Sequence, residues 1–208
     1  MNRLRSAITP LSRLGAGAVV LLLCACLGGR PPEPARYFRP EPPAEPVSAL
    51  DGPPPAGTPR ATLRLHRVTA AAHLDSRMVW RSSDVEFGFY ESRRWAEHPA
   101  HYVEQLISRE LFEERGLRRA TAGVVPTLEV ELLAFEEVLM PAHEARVVVH
   151  VLLLDQRRLA RLERTFIAEQ PIADGDPVSV SRAIGRALNQ LVMSVADEVQ
   201  AALAGSET

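Results

Sequence analysis

The sequence predicts an α+β domain, a two-layer sandwich in which a largely antiparallel sheet is covered by two main helices, the longer one C-terminal. Three observations carry this. Three successive stretches between Thr127 and Gln170 read as strands and are separated by short turns. The chain then ends in a long amphipathic run, Asp176 to Leu203, and a second helical pattern lies before the strands, between Pro99 and Gly116. A sheet with one apolar face needs a layer of helices to bury it, and the C-terminal run supplies one.

The elements follow in chain order. Ala61 to Val68 ("ATLRLHRV") alternates and reads as a strand. Arg77 to Ser92 holds Val79, Trp80, Val85, Phe87 and Phe89 around "RSSD", which predicts two short strands joined by a tight turn. Pro99 suits a first helical turn, Tyr102, Val103, Leu106, Ile107 and Leu111 recur at three and four, and Gly116 suits a stop. In "TLEVELLAFEEV" (Thr127 to Val138), Leu128, Val130, Leu132 and Ala134 alternate with Glu129 and Glu131, as on a half-buried strand. Ala145 to Asp155 and Leu159 to Gln170 are the next two strands, with "DQRR" at their turn. Asp176 is placed to cap the last helix and Pro177 fits its first turn, ahead of a stripe through Val180, Ile184, Leu188, Leu191, Val195, Val199 and Leu203.

The 208 residues suffice for one ordinary domain. All 24 basic residues are arginine, so lysine chemistry is excluded: there can be no Schiff base and no phosphate loop of the Walker type. A net charge of −2 gives no electrostatic reason to expect nucleic-acid binding. Residues 1–25 read as a secretory signal: Arg3, Arg5 and Arg13 precede the apolar run Leu14 to Ala25, whose twelve residues fall short of the roughly 18 that a membrane span needs. "LCAC", Leu23 to Cys26, is similar to the lipobox of bacterial lipoproteins, with Cys26 as the acceptor. That similarity implies cleavage before Cys26 and a covalent N-acyl diacylglycerol (palmitate-type acyl chains) on its sulfur and new amino terminus. Each buried methylene is worth about 0.8 kcal/mol, so two or three chains anchor stably. Cleavage there discards Cys24 with three arginines and no acid, moving the net charge from −2 to −5. Residues 26–60 follow as a lipidated proline-rich tether, with 11 of the 17 prolines between Arg30 and Arg60. From Leu27 to Arg60, 34 residues at about 3.1 Å each reach at most about 100 Å. Within it "RYFRP" (Arg36 to Pro40) reads either as an adhesive point in a disordered linker or as a short strand docking on the body or a partner. The globular domain spans 61–204.

Catalytic constellations are sparse. His98 and His101 stand three apart at a helix start without a third metal ligand at a recognisable spacing, and read as a polar helix terminus. His150, within a valine-rich strand, reads as a satisfied core or edge residue. There is no GxSxG elbow, and "RSSD" reads as turn chemistry. The glutamates of "FEERG" (Phe112 to Gly116) and "FEEV" (Phe135 to Val138) are expected on solvated faces. No enzymatic activity and no cofactor beyond the lipid are expected.

The segment His73 to Leu111 resembles the ABC-type transport auxiliary lipoproteins, the PqiC-like family that accompanies Mce-type transporters. The residues that carry the resemblance are Leu74 and Asp75, Met78 to Arg81, Phe87 to Tyr90, and Trp95, Ala96 and Glu97. Tyr37 and Phe38 correspond to an aromatic pair that the family carries soon after its lipid cysteine. The resemblance implies a non-catalytic auxiliary component of an ABC/Mce-type phospholipid transport system. Its partners would be an Mce-domain substrate-binding protein with its permease and ATPase. It would be anchored in the outer membrane facing the periplasm, and Leu27 after the lipid cysteine agrees with that address. The expected partner-binding residues are Trp80, Phe87, Phe89, Tyr90 and Trp95, since aromatic side chains anchor interfaces. A homo-oligomer is left open. The alternative is a periplasmic lipoprotein that itself holds lipid or lipopolysaccharide between helix and sheet, with Val147 to Leu154 lining the site.

Overall fold

The computed structural model describes residues 33–41 and 61–205. The signal segment, Cys24 and Cys26, and residues 42–60 of the proline-rich stretch lie outside the described residues, so the lipidation reading is not addressed by the fold. The described residues from Ala35 onward form one compact unit. Among the described residues, its strands are β1 (Arg36–Phe38), β2 (Thr62–Leu65), β3 (Thr69–Ala70), β4 (Arg77–Arg81), β5 (Phe87–Trp95), β6 (Arg118–Arg119), β7 (Thr127–Val138), β8 (Glu144–Leu154) and β9 (Ala160–Pro171). Its helices are α1 (Pro99–Arg109), which continues into a π-helical turn at Glu110–Glu114, and α2 (Pro177–Ala204). The class is α+β, as the sequence predicts.

β7, β8 and β9 form the expected antiparallel meander, with β7 and β8 inside the sheet and β9 at its edge among the described residues. The free edge of β7 is shared by three short parallel partners in line: β2 beside Thr127 and Leu128, β3 beside Glu131 and Leu132, and β4 beside Glu136 to Val138. β5 returns antiparallel on β4, β1 adds parallel to β5, and β6 adds parallel to β2. The sheet is therefore mixed. The run Ala61 to Val68 is shorter as a strand than its alternation suggests, because β2 stops at Leu65 and pairing with β7 resumes only at β3.

Alternation places Leu128, Val130 and Leu132 of β7 and Val147, Val149, Val151 and Leu153 of β8 in one core with α2. A bulge between Leu132 and Ala134 switches the alternation, so that Phe135 and Glu137 share this face in the second half of β7. Phe135 meets Trp95 edge to face at 5.1 Å. The valines proposed to line a lipid site are core: Val147, Val149 and Val151 are fully buried.

The helix ends follow their sequence signals. Asp176 caps α2 by accepting from the Val178 N–H, and Pro177 opens the first turn. Gly116 takes a left-handed φ of 67°, ending the widened turn in which the Arg115 N–H donates to the Glu110 carbonyl.

"RYFRP" is settled as a strand on the body. β1 aligns Arg36, Tyr37 and Phe38 with Arg93, Arg94 and Trp95, and the Ala96 N–H donates to the Phe38 carbonyl at 2.7 Å. The chain then crosses α2, where the Glu41 N–H donates to the Ser181 carbonyl at 3.2 Å. Gly185 makes this crossing possible, since a Cβ there would come within 2.5 Å of the Glu41 nitrogen. Arg182 and Arg186 flank the Glu41 carboxylate at 3.8 and 3.9 Å.

Candidate functional site: an arginine–aromatic hairpin held by two buried glutamates

The β4–β5 hairpin carries most of the residues singled out from the sequence, and its turn is built as "RSSD" predicts. The Ser82 N–H donates to the Glu86 carbonyl at 3.1 Å, and the Ser83 hydroxyl accepts from the Glu86 N–H at 3.1 Å. Opposed pairs are Val79 with Phe89, Trp80 with Gly88 and Arg81 with Phe87. Alternation therefore sets Phe87, Phe89 and Arg81 on one face and Trp80, Gly88 and Tyr90 on the other. Gly88 leaves room for the indole of Trp80, whose Cε2 lies 2.7 Å from where a Cβ would stand.

The first face is a stacked arginine–aromatic patch. The Arg77 guanidinium lies 3.9 Å from the Phe89 ring centre, Arg81 lies 5.6 Å from that of Phe87, and the His73 ring meets Phe87 at 5.1 Å, tilted by 51°. Phe87 is exposed and Phe89 half-buried. The Leu139 N–H donates to the Arg81 carbonyl at 2.8 Å, which brings the β7–β8 loop beside the hairpin turn. Val85 and Met140 thus present exposed apolar side chains at the same end of the sheet, 92% and 62% accessible. Trp80 and Tyr90 are half-buried on the opposite face, whereas Trp95, 2% exposed, belongs to the core.

Beneath the hairpin the structure corrects one reading. Glu136 and Glu137 of "FEEV", expected in solvent, are only 1% and 3% exposed. Adjacent strand residues point to opposite faces, so each finds separate partners. Glu136 accepts from Arg81 Nε at 2.7 Å, and this bond is the main cause that raises the Arg81 pKa. Glu137 accepts from the Tyr90 hydroxyl at 2.8 Å, pairs with His143 Nε2 at 2.7 Å, and has Arg93 at 3.8 Å. Burial, and then the bond to Glu137, push the Tyr90 phenol far above its ordinary value. Arg93 stacks on Tyr90 at 4.0 Å. Apart from His143, six residues on, the partners come from β4 and β5, remote in sequence, so the letters "EE" carried no sign of them. The one available signal was the apolar run on either side of the pair. The glutamates of "FEERG" behave as expected: Glu113 and Glu114 are exposed.

The histidine readings are placed as follows. His98 is the residue before α1, 3.3 Å from Asp75, and His101 lies 2.6 Å from Glu97. His150 faces Thr165 at 3.4 Å and Glu163 at 3.8 Å across β8 and β9. Among the described residues no three His, Cys, Asp or Glu side chains are grouped to hold a metal ion, and no helix is long and apolar enough to cross a membrane. The hairpin thus sets arginines over aromatic rings and pairs Arg81 and Tyr90 with buried carboxylates.

Comparison with known proteins agrees with this fold. The family described as ABC-type transport auxiliary lipoprotein component matches residues 46–196. No curated protein matches. A Xanthomonas campestris protein of family DUF330 superposes with a TM-score of 0.69 at 21% identity, covering 83% of this chain and 100% of that one. An uncharacterised protein gives 0.59 at 16% identity over 80% of this chain and 99% of that one. A hypothetical protein from Chlamydia trachomatis gives 0.52 at 11% identity over 70% and 98%. At these identities the solved structures share the fold.

Proposed function

The chain belongs to the ABC-type transport auxiliary lipoprotein component family, and from that premise we propose that it docks an envelope transporter as a non-catalytic, lipid-anchored accessory. Anchorage is through diacylglycerol and acyl chains on Cys26, in the outer membrane, with the folded body facing the periplasm. The docked partner is the Mce-domain substrate-binding protein of an ABC system with its own permease and ATPase, and the cargo is phospholipid. No cofactor enters this role.

The observation that carries the reading is the arginine–aromatic patch of β4–β5. Phe87 stands exposed between Arg81 and His73, with Val85 and Met140 exposed at the same end of the sheet, on a hairpin held by Glu136 on one face and Glu137 on the other. Exposed aromatic side chains on a support that does not yield lose little entropy on binding, which is why such residues dominate interfaces. Trp80 and Tyr90 brace the patch from the other face.

The test is photo-crosslinking from position 87 in cells, followed by extraction in detergent with the anchor intact. The expected adduct contains the transporter's Mce-domain protein, and Phe87→Glu is expected to lower recovery of that complex about tenfold or more. Recovery of no transporter component would count against the docking reading. Cys26→Ser is expected to release the protein from the membrane fraction.

A further inference from the structure

β5 has one edge that is only partly used. On one side it pairs with β4 through Phe87 to Phe89, and on the other β1 pairs with Arg93 to Trp95. Between β1 and the turn, Phe87, Gly88 and Phe89 have no strand partner on that second side among the described residues. The direction of their backbone groups follows from the turn. The Ser82 N–H donates to the Glu86 carbonyl, so these two form a hydrogen-bonded pair, and such pairs recur at every second position of an antiparallel ladder. Trp80 and Gly88 are the next one, and Gly88 gives its backbone groups to β4. Phe87 and Phe89 lie at the intervening positions, so their N–H and C=O groups point to the open edge. Arg81, opposite Phe87, obeys the same rule: its carbonyl points away from β5 and accepts from the Leu139 N–H.

We propose that the protein partner docks by strand addition at this edge, laying an extended segment along Phe87–Phe89 and setting an acidic side chain against Arg77. The proposal rests on the docking reading and supplies its mode. The stretch "FGFY", Phe87 to Tyr90, has neither a charge nor a proline, two usual protections of an edge. The register shift of β5 beyond Phe89 bounds the open stretch at one end, and the turn bounds it at the other. β1 shows that three residues suffice to pair on this edge. A strand added there puts its side chains about 5 Å from those of Phe87 and Phe89 on the same face. On that face Arg77 lies over the Phe89 ring, is exposed, and forms no ion pair among the described residues, whereas Arg81 is already held by Glu136. An acidic residue beside an apolar one is therefore the sequence that fits. The chain's own upstream residues do not fit: continuing the register of β1 toward the turn would bring Pro31 and Pro32 beside Gly88 and Phe89, and proline has no N–H for a ladder.

The experiment is residue-resolved hydrogen exchange on the full-length protein in detergent, alone and in the complex co-purified from cells with the anchor intact. Alone, the Phe87 and Phe89 amides are expected to exchange freely while that of Gly88 is protected. In the complex those of Phe87 and Phe89 are expected to slow about tenfold or more, with Gly88 little changed. Phe89→Pro removes an edge N–H and leaves the bonds to β4 in place. It is expected to lower recovery of the complex about tenfold more than Phe89→Ala, which keeps the N–H. Arg77→Glu is expected to lower recovery as well, and far-ultraviolet circular dichroism confirms that each variant is folded. A complex that forms with unchanged exchange at Phe87 and Phe89 overturns strand addition and leaves the docking reading standing, as does Phe89→Pro no worse than Phe89→Ala. Slow exchange of both amides in the protein alone also overturns it: lost on dilution, it marks a second copy on the edge, and kept on dilution, it marks this chain. Recovery of no complex at all overturns the docking reading and strand addition with it.

Discussion

At the scale of single residues, the informative groups are Glu136 and Glu137, two neighbouring carboxylates buried on opposite faces of β7. A buried carboxylate is tolerated only when hydrogen-bonded or paired, and leaving one alone costs about 3–5 kcal/mol. Each therefore dictates its neighbours: Arg81 for Glu136, and Tyr90 with His143 for Glu137. Tyr90 gives a pH-dependent consequence. Its folded pKa is raised, by burial first and then by Glu137. The stabilisation is thus fully present below about pH 10, where the phenol of the unfolded chain begins to ionise, and is lost as pH rises through the folded value. Tyr102 is raised in the same direction by burial. Because the sequence has no lysine, the phenols dominate side-chain titration in this range once the cysteines are set aside. Urea melts at successive pH values should show stability falling above about pH 10. Tyr90→Phe should be less stable near neutrality by about 1 kcal/mol, for its lost hydrogen bond, yet fall less steeply in alkali. A variant as alkali-sensitive as the wild type would show that Tyr90 does not carry this linkage.

At the scale of elements, what could be read in advance depended on whether the instruction was local. The cap at Asp176, the stop at Gly116, the turn in "RSSD" and the alternation of β7, β8 and β9 are all written in neighbouring residues, and all appear in the structure. The parallel additions of β2, β3 and β4 along one edge of β7 are not, because two to five residues hold no period of their own. The aromatic hairpin was legible as a pair of strands from its composition. Its support was not, because Glu137 meets Tyr90 across 47 positions of chain. Gly185 is a further case: within α2 it reads as a flaw, and its reason lies in Glu41, far away in sequence. A helix interior normally gains about 1 kcal/mol from Gly→Ala. Here the added methyl would press on the Glu41 backbone, so Gly185→Ala should forfeit that gain and loosen Arg36–Glu41 instead. Hydrogen exchange is the measurement: the Ala96 N–H, bonded to Phe38, should exchange faster in the variant while the amides of β8 keep their protection.

For the whole molecule, the docking of β1 changes what the proline-rich segment does. Residues 27–60 were expected to act as a tether reaching at most about 100 Å, with "RYFRP" either an adhesive point within it or a docking strand. With Arg36–Phe38 paired to β5 and Glu41 bonded to α2, residues 42–60 begin and end on the same compact unit. The distance from the anchor proposed at Cys26 to the body is therefore counted to Arg36 and not to Arg60. The covalent spacer left is residues 27–35, nine residues that reach at most about 30 Å when extended. The entropy of closing a loop is set to first order by its length, which the exchange keeps. Replacing residues 44–58 by a Gly/Ser sequence of equal length should therefore change thermal stability by less than about 1 kcal/mol and preserve the crosslink from position 87. Deleting residues 28–32, which spares Glu33 and β1, should leave the melting temperature intact, yet weaken or abolish that crosslink by shortening the reach. The two variants separate the roles of the segments: loss of the crosslink on replacing 44–58, with 28–32 dispensable, would mean that β1 lets go of the body when the protein works at the membrane.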